Sequence, residues 1–164
     1  MCVLIRAVEQ KDAEQLQRIY SQSNIQENML HLPMPSLRYW ENRIVNYSAN
    51  GWIGFVAELD GVVVGEIVLF TEKNIRLRHV VSFGLAVGEN FSGRGIGRKL
   101  IIFCQEYAFQ WLAAKRLELQ VFVSNLVAIK LYESMGFEIE GRKRKAALKN
   151  GEYQDVFLMS KLGP

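Results

Sequence analysis

The sequence predicts an α/β (α+β) fold on a mostly antiparallel sheet, and three observations predict it. Two pairs of β-like apolar runs meet at turn dipeptides, Asp60-Gly61 and Asn150-Gly151, the residues that two-residue hairpin loops demand. Between them, residues 80–111 read as strand, glycine loop and helix, with Gly93, Gly95 and Gly97 at alternate positions. No repeat, low-complexity tract or linker divides the 164 residues, so one domain, 1–164, is expected.

Taken in order, residues 3–8 alternate as a first strand. Asp12 with Gln15 three residues later reads as a capping-box start to a helix whose buried stripe is Leu16, Ile19 and Tyr20. Residues 24–35 lose periodicity and carry two prolines, yet they hold Met29, Leu30, Leu32 and Met34. Apolar residues in a loop either dock on the core or form a wall of a binding pocket. Ser36 caps a second helix with Leu37, Trp40, Ile44 and Tyr47 on one face, ending near Asn50-Gly51. Strands follow at 52–59 and 62–70, then the strand at 80–87. The helix after the glycine loop carries Ile96, Leu100, Phe103, Tyr107 and Trp111 on one side and ends near Lys115. Leu117, Leu119, Val121 and Val123 alternate as a strand. Asn125 opens a short helix with Ala128, Leu131, Tyr132 and Met135 on one face, closed by Gly136, and residues 137–145 and 152–161 make the last hairpin. The count is seven strands and about four helices.

Composition bounds the function classes. The hydrophobic fraction of 49%, charged fraction of 23% and net charge of +3 are those of an ordinary globular chain and announce no nucleic-acid partner. No stretch is long enough to span a membrane, and the N-terminal run from Met1 to Arg6 is too short in its apolar part for a secretory signal, so a cytoplasmic protein is expected. Cys2 and Cys104 share no ligand spacing with each other or with His31 and His79, which argues against a metal site or a disulfide framework. Cys104 shares helical spacing with Leu100, Ala108 and Trp111 and reads as a buried core thiol. The basic run Arg142-Lys143-Arg144-Lys145 lacks interleaved aromatics and reads as a solvated face rather than an RNA patch.

The glycine loop carries the chemistry. Glycines remove the Cβ atoms that hold a ligand off the backbone, and the helix behind them offers unpaired N–H groups and the positive end of its dipole, so the corner suits a phosphate. Arg98 stands where a dinucleotide fingerprint started at Gly93 needs glycine, and Arg94-Gly95 stand where a Walker loop started at Gly88 needs Lys and Ser/Thr. The loop Ser92-Gly93-Arg94-Gly95-Ile96-Gly97 instead resembles the R/Q-x-x-G-x-G/A loop of the GNAT superfamily, the acetyl-CoA-dependent N-acetyltransferases, with Ser92 departing from the usual Arg or Gln. Residues 125–137 resemble that family's second hallmark, N-x-x-A-x-x-x-Y-x-x-x-G-F, at the right order and spacing. The tail, 137–155, is similar to bacterial branches that acetylate free amino acids, polyamines or ribosomal-protein N-termini, and residues 117–123 onward look most like L-amino-acid N-acetyltransferases.

The resemblance implies a GNAT fold and a list of roles. Acetyl-CoA is the co-substrate; its pyrophosphate meets the N–H groups of Gly93, Gly95 and Gly97 beside Arg94 and Arg98, with Ser92 and Ile96 completing the loop. Leu85, Ala86 and Val87 pair with the pantetheine arm like an extra strand, and Asn125 reaches that arm, although it also reads as a plain helix cap. Tyr132 is the general acid for the leaving thiolate: a thiol of pKa ~8.5 against a phenol of ~10 makes the transfer nearly balanced. The base is left open between Glu66, which interrupts the apolar face of Val64, Val68 and Phe70, and a water relay; Ser82 lies where related enzymes carry an acid. Glu27 is the only carboxylate in 24–35, so a small, neutral, apolar amine such as a free hydrophobic amino acid is expected over a polyamine. Ribosomal-protein N-terminal acetylation and a catalytically weak acyl-CoA sensor are the alternatives, no nucleic acid or membrane partner is expected, and a homodimer is left open.

Overall fold

One sheet organises the chain. Its strands are β1 (Leu4–Ala7), β2 (Trp52–Leu59), β3 (Val62–Thr71), β4 (Val80–Val87), β5 (Arg116–Phe122), β6 (Glu138–Lys149) and β7 (Glu152–Leu162), hydrogen-bonded in the order β1-β2-β3-β4-β5-β7-β6. Every neighbouring pair is antiparallel except β4 with β5. The computed structural model describes residues 2–164; Met1, with which the N-terminal run begins, lies outside them. Both hairpin turns carry two left-handed residues, Asp60 and Gly61 at φ 49° and 80° and Asn150 and Gly151 at 50° and 79°. That twist matches the strands they join, which is why Asp-Gly and Asn-Gly stand there.

The helices are α1 (Ala13–Tyr20), α2 (Ser23–Asn28), α3 (Leu37–Val45), α4 (Ile96–Trp111) and α5 (Leu126–Ser134). The fifth beyond the expected four is α2, a six-residue turn inside the segment read as loop, whose one buried residue, Ile25, is too little to show a period. On one face of the sheet, Val81, Phe83, Leu117 and Leu119 pack against Leu100, Ile101 and Cys104 of α4 and Ile129 of α5. On the other face, Val56, Val63 and Ala86 meet Leu16, Ile19 and Tyr20 of α1 and Trp40 of α3. No helix among the described residues is long and apolar enough to cross a membrane.

Three local expectations are corrected. Asp12 does not cap α1: its carboxylate accepts from the Glu9 N–H and from the Arg6 guanidinium, while the Gln15 amide oxygen accepts from the Val63 N–H and ties α1 to the sheet. The buried line of α4 runs through Ile96, Leu100, Ile101, Cys104 and Ala108; Phe103 and Tyr107 flank it against Phe55, and Trp111, 77% exposed, lies off it. In α3, Trp40 is buried as expected, but Leu37 faces solvent and the helix ends at Val45.

The feature that positions the site is where pairing stops. β4 and β5 pair only through residues 80–82 with 116–118. Beyond that, β4 stays on β3 as far as Val87, and β5 stays on β7 as far as Phe122, so the sheet opens between residues 83–87 and 119–122. Main-chain N–H and C=O groups on these facing edges have lost their ladder partner, and such an edge accepts an extended ligand as an added strand.

Candidate active site

The glycine loop closes one end of this opening. Gly93 and Gly95 sit at φ 74° and 80°, and a Cβ on either would meet nothing within 4 Å, so the backbone demands glycine there and the space before it is free. Gly97 is placed differently: a Cβ there would stand 3.3 Å from Leu131 Cδ2, a tight contact where α4 packs on α5. Gly95 is the N-cap of α4 and no side chain caps the helix, leaving its first N–H groups and its dipole directed outward. The loop is braced from α2, since the Gln22 amide oxygen accepts from the Glu89 N–H and the Glu89 carboxylate accepts from the Asn24 N–H.

A cavity of about 940 Å³ runs from this loop through the opened strands to α2 and the segment that follows it. Leu85, Ala86, Val87, Ser92, Gly93, Gly95, Ile96, Gly97, Arg98, Asn125 and Tyr132 all border it. Arg94 does not; its guanidinium lies over the Phe91 ring at 5.4 Å. Arg98 is turned toward α5 and donates to Ser134 Oγ at 2.9 Å and Met135 Sδ at 3.2 Å. Asn125 caps α5, its Oδ1 accepting from the Ala128 N–H, while its side chain still borders the cavity.

Tyr132 is 8% exposed, with its ring edge-on to Phe83 and Phe137. Burial, with a smaller contribution from Cys104, raises its phenol above the ordinary value. A near balance with a free thiol therefore does not hold in the resting site. The same low-dielectric cleft raises the basicity of a thiolate released into it, which moves the pair back toward balance. Cys104 is fully buried and its thiol is pushed up to about 12, as a core residue and not a nucleophile.

Glu66 is not at the cavity. It is 0% exposed, and its two oxygens accept from the Tyr20 and Tyr47 hydroxyls at 2.7 Å each. Burial pushes its carboxyl upward, against those hydrogen bonds and the Arg43 charge. The acids that do border the cavity are Glu72, exposed beyond the end of β3, and Glu118 on β5. Ser82 borders it too, paired with Phe70 on one side and Glu118 on the other.

The far wall comes from residues that sequence reasoning assigned only in part. Met29 and Leu30 line the cavity, as the pocket reading of the apolar loop required, whereas Leu32 and Met34 are 87% and 86% exposed and do neither. Phe70 and His31 join the wall. His31 lies against Tyr20 and parallel to Trp40, and burial with the Arg43 charge pushes it down to about 4. Glu118 and Gln120 were not singled out, although the alternation of β5, with Leu117, Leu119 and Val121 inward, places both on the opposite face. For His31 the sequence holds no signal.

A family model described as "Acetyltransferase (GNAT) domain" matches residues 5–158. An L-amino acid N-acetyltransferase of Escherichia coli, AaaT, is 38% identical over 160 residues, covering 98% of each chain. Among solved structures, a ribosomal-protein-alanine N-acetyltransferase from Brucella melitensis superposes with a TM-score of 0.87 at 26% identity, covering 98% of this chain and 99% of that one. A spermidine N-acetyltransferase from Vibrio cholerae, solved with CoA and spermine, gives 0.88 at 27% identity, covering 98% and 95%.

Proposed function

The chain belongs to the GNAT acetyltransferases and takes acetyl-CoA as its donor, and from that premise we propose that its acceptor is a free amino acid with an apolar side chain. The observation that carries this is the acceptor half of the cavity, where Met29, Leu30 and Phe70 form an apolar wall and the carboxylates among the described lining residues are two, Glu72 and Glu118. The 38% identical relative named for L-amino acids supports the same reading.

Bound acetyl-CoA supplies the acyl group as a thioester. The N–H groups of Gly93, Gly95 and Gly97 and the open end of α4 hold its pyrophosphate, with Ser92, Ile96 and Arg98 at the rim and Asn125 beside the arm. The free edge of Leu85, Ala86 and Val87 pairs with the arm and donates to the carbonyl oxygen as negative charge develops there. Tyr132 gives its phenolic proton to the departing thiolate and recovers one from solvent. With Glu66 sealed under Tyr20 and Tyr47, the proton shed by the acceptor ammonium leaves through the solvent side of the cavity. The use of acetyl-CoA as donor supports a cytoplasmic location for the enzyme.

The test follows thiol release from acetyl-CoA with L-methionine, L-phenylalanine, spermidine and a peptide with a free N-terminus. Turnover of an apolar amino acid well above spermidine and peptide is the expected result. Faster release with spermidine or the peptide overturns the acceptor and leaves the donor chemistry standing.

A further inference from the structure

Opposite the apolar wall stands a polar one on β5, and Lys143 of the basic run on β6, exposed and outside the cavity lining, touches it through Gln120. Glu118 and Gln120 project from the same face of β5, two residues apart, so their side chains leave the strand roughly 6.6 Å from each other. Arg116 Nε donates to Glu118 Oε2 at 2.7 Å, and Oε1 has no hydrogen-bond donor among the described residues; the two Nη groups of the same arginine hold Glu140. Glu118 is thus held in place by Arg116. From β6, Lys143 reaches across β7 and places Nζ 3.4 Å from Gln120 Oε1. That contact leaves the Gln120 amide N–H groups available.

The neighbours of Lys143 have other work. Arg142 pairs with Asp155, whose second carboxylate oxygen accepts from the Lys145 N–H. Lys143 forms no ion pair with a carboxylate among the described residues. An ammonium without a counter-ion, held by an amide that lines the cavity, is a site for an anion.

We propose that Lys143 and Gln120 bind the α-carboxylate of the acceptor while Glu118 Oε1 receives its α-ammonium, a clamp for the zwitterion of an amino acid. The inference rests on the amino-acid reading and extends it. With the charged end held on β5, the side chain of the acceptor extends toward Phe70, Met29 and Leu30, so the two walls account for the two halves of one molecule. A polyamine or a peptide N-terminus carries no carboxylate next to its reacting amine and leaves Lys143 without a partner.

The experiment compares kcat/KM for L-methionine and L-methioninamide, which differ only in that carboxylate, in the wild type and in Lys143→Gln, Lys143→Arg and Glu118→Gln. The wild type is expected to prefer the acid, Lys143→Gln to lose roughly tenfold of that preference through KM, and Lys143→Arg to keep most of it. Glu118→Gln is expected to raise KM for acid and amide alike. CoA affinity reports in each variant that the donor half is folded. An unchanged preference in Lys143→Gln overturns the clamp with the amino-acid reading intact. Failure of the wild type to use either compound, while it acetylates spermidine or a peptide, overturns the amino-acid reading itself and the clamp with it.

Discussion

The two halves of the cavity are built from different materials. The half proposed for the donor is main chain: the free edge of residues 85–87, the N–H groups around Gly93 and Gly95, and the uncapped start of α4, all from one continuous stretch, with α5 laid against it. The half proposed for the acceptor is side chain: Met29, Leu30 and His31 after α2, Phe70 from β3, Ser82 from β4, Glu118 and Gln120 from β5. A main-chain site tolerates exchange of most side chains provided its glycines stay, so it serves any acceptor. A side-chain site changes with every substitution, which is where specificity within one fold is set.

Tyr132 lies at the junction and gives the largest expected effect. Removing its hydroxyl in Tyr132→Phe is expected to lower kcat by ~10²–10⁴ while CoA affinity, measured by calorimetry, stays within about twofold. A loss of CoA affinity instead would move Tyr132 into the donor cradle. A variant that turns over at the wild-type rate would remove it from the chemistry.

Glu66 tests whether the acceptor side is supported from behind. The carboxylate lies across the β3–β4 pair from Ala86 and is held by hydroxyls from α1 and from the residue two beyond α3. Glu66→Leu leaves two buried hydroxyls without an acceptor and is expected to cost about 2–5 kcal/mol in denaturant unfolding, with Glu66→Gln milder because its amide oxygen still accepts. The ranking of acceptors is expected to stay as in the wild type. A changed ranking at full stability would return Glu66 to the site.

The same contrast explains what could be read from the chain. Gly93, Gly95 and Asn125 are visible because a backbone that must turn left-handed, or a helix that must be capped, limits the residue types allowed, whereas Tyr132, inside α5, is visible only through the motif around it. Asp60-Gly61 and Asn150-Gly151 are visible on the same ground. Glu66 stands out as an acid in an apolar strand, but its partners are 46 and 19 residues away and nothing local announces them. Trp111 carries the right spacing and still faces water, because the smaller Cys104 and Ala108 fit closer to the sheet. The Lys143 to Gln120 contact depends on β7 lying between β5 and β6, an order that the sequence does not spell out.

The smallest effect concerns His31, the titratable group on the apolar wall. Its neutral form packs against Tyr20 and Trp40, and burial together with the Arg43 charge pushes it from an ordinary 6.5 down to about 4. Between those values the unfolded chain binds a proton that the folded one refuses, so the contribution to stability is full above pH 6.5 and is lost as pH falls through 4. Glu66, whose carboxyl is raised, acts in the opposite sense: its contribution is full below the ordinary carboxylate range and is lost as pH rises. Only the difference between two proteins isolates the histidine. His31→Phe keeps a ring in the stack and removes the titration, so its stability relative to wild type is expected to rise by ~1–2 kcal/mol between pH 7 and pH 4.5. Parallel curves across that window would mean that the folded protein protonates His31 as readily as the unfolded chain does. The acceptor wall would then gain charge on mild acidification, and the preference for apolar side chains should weaken below pH 6.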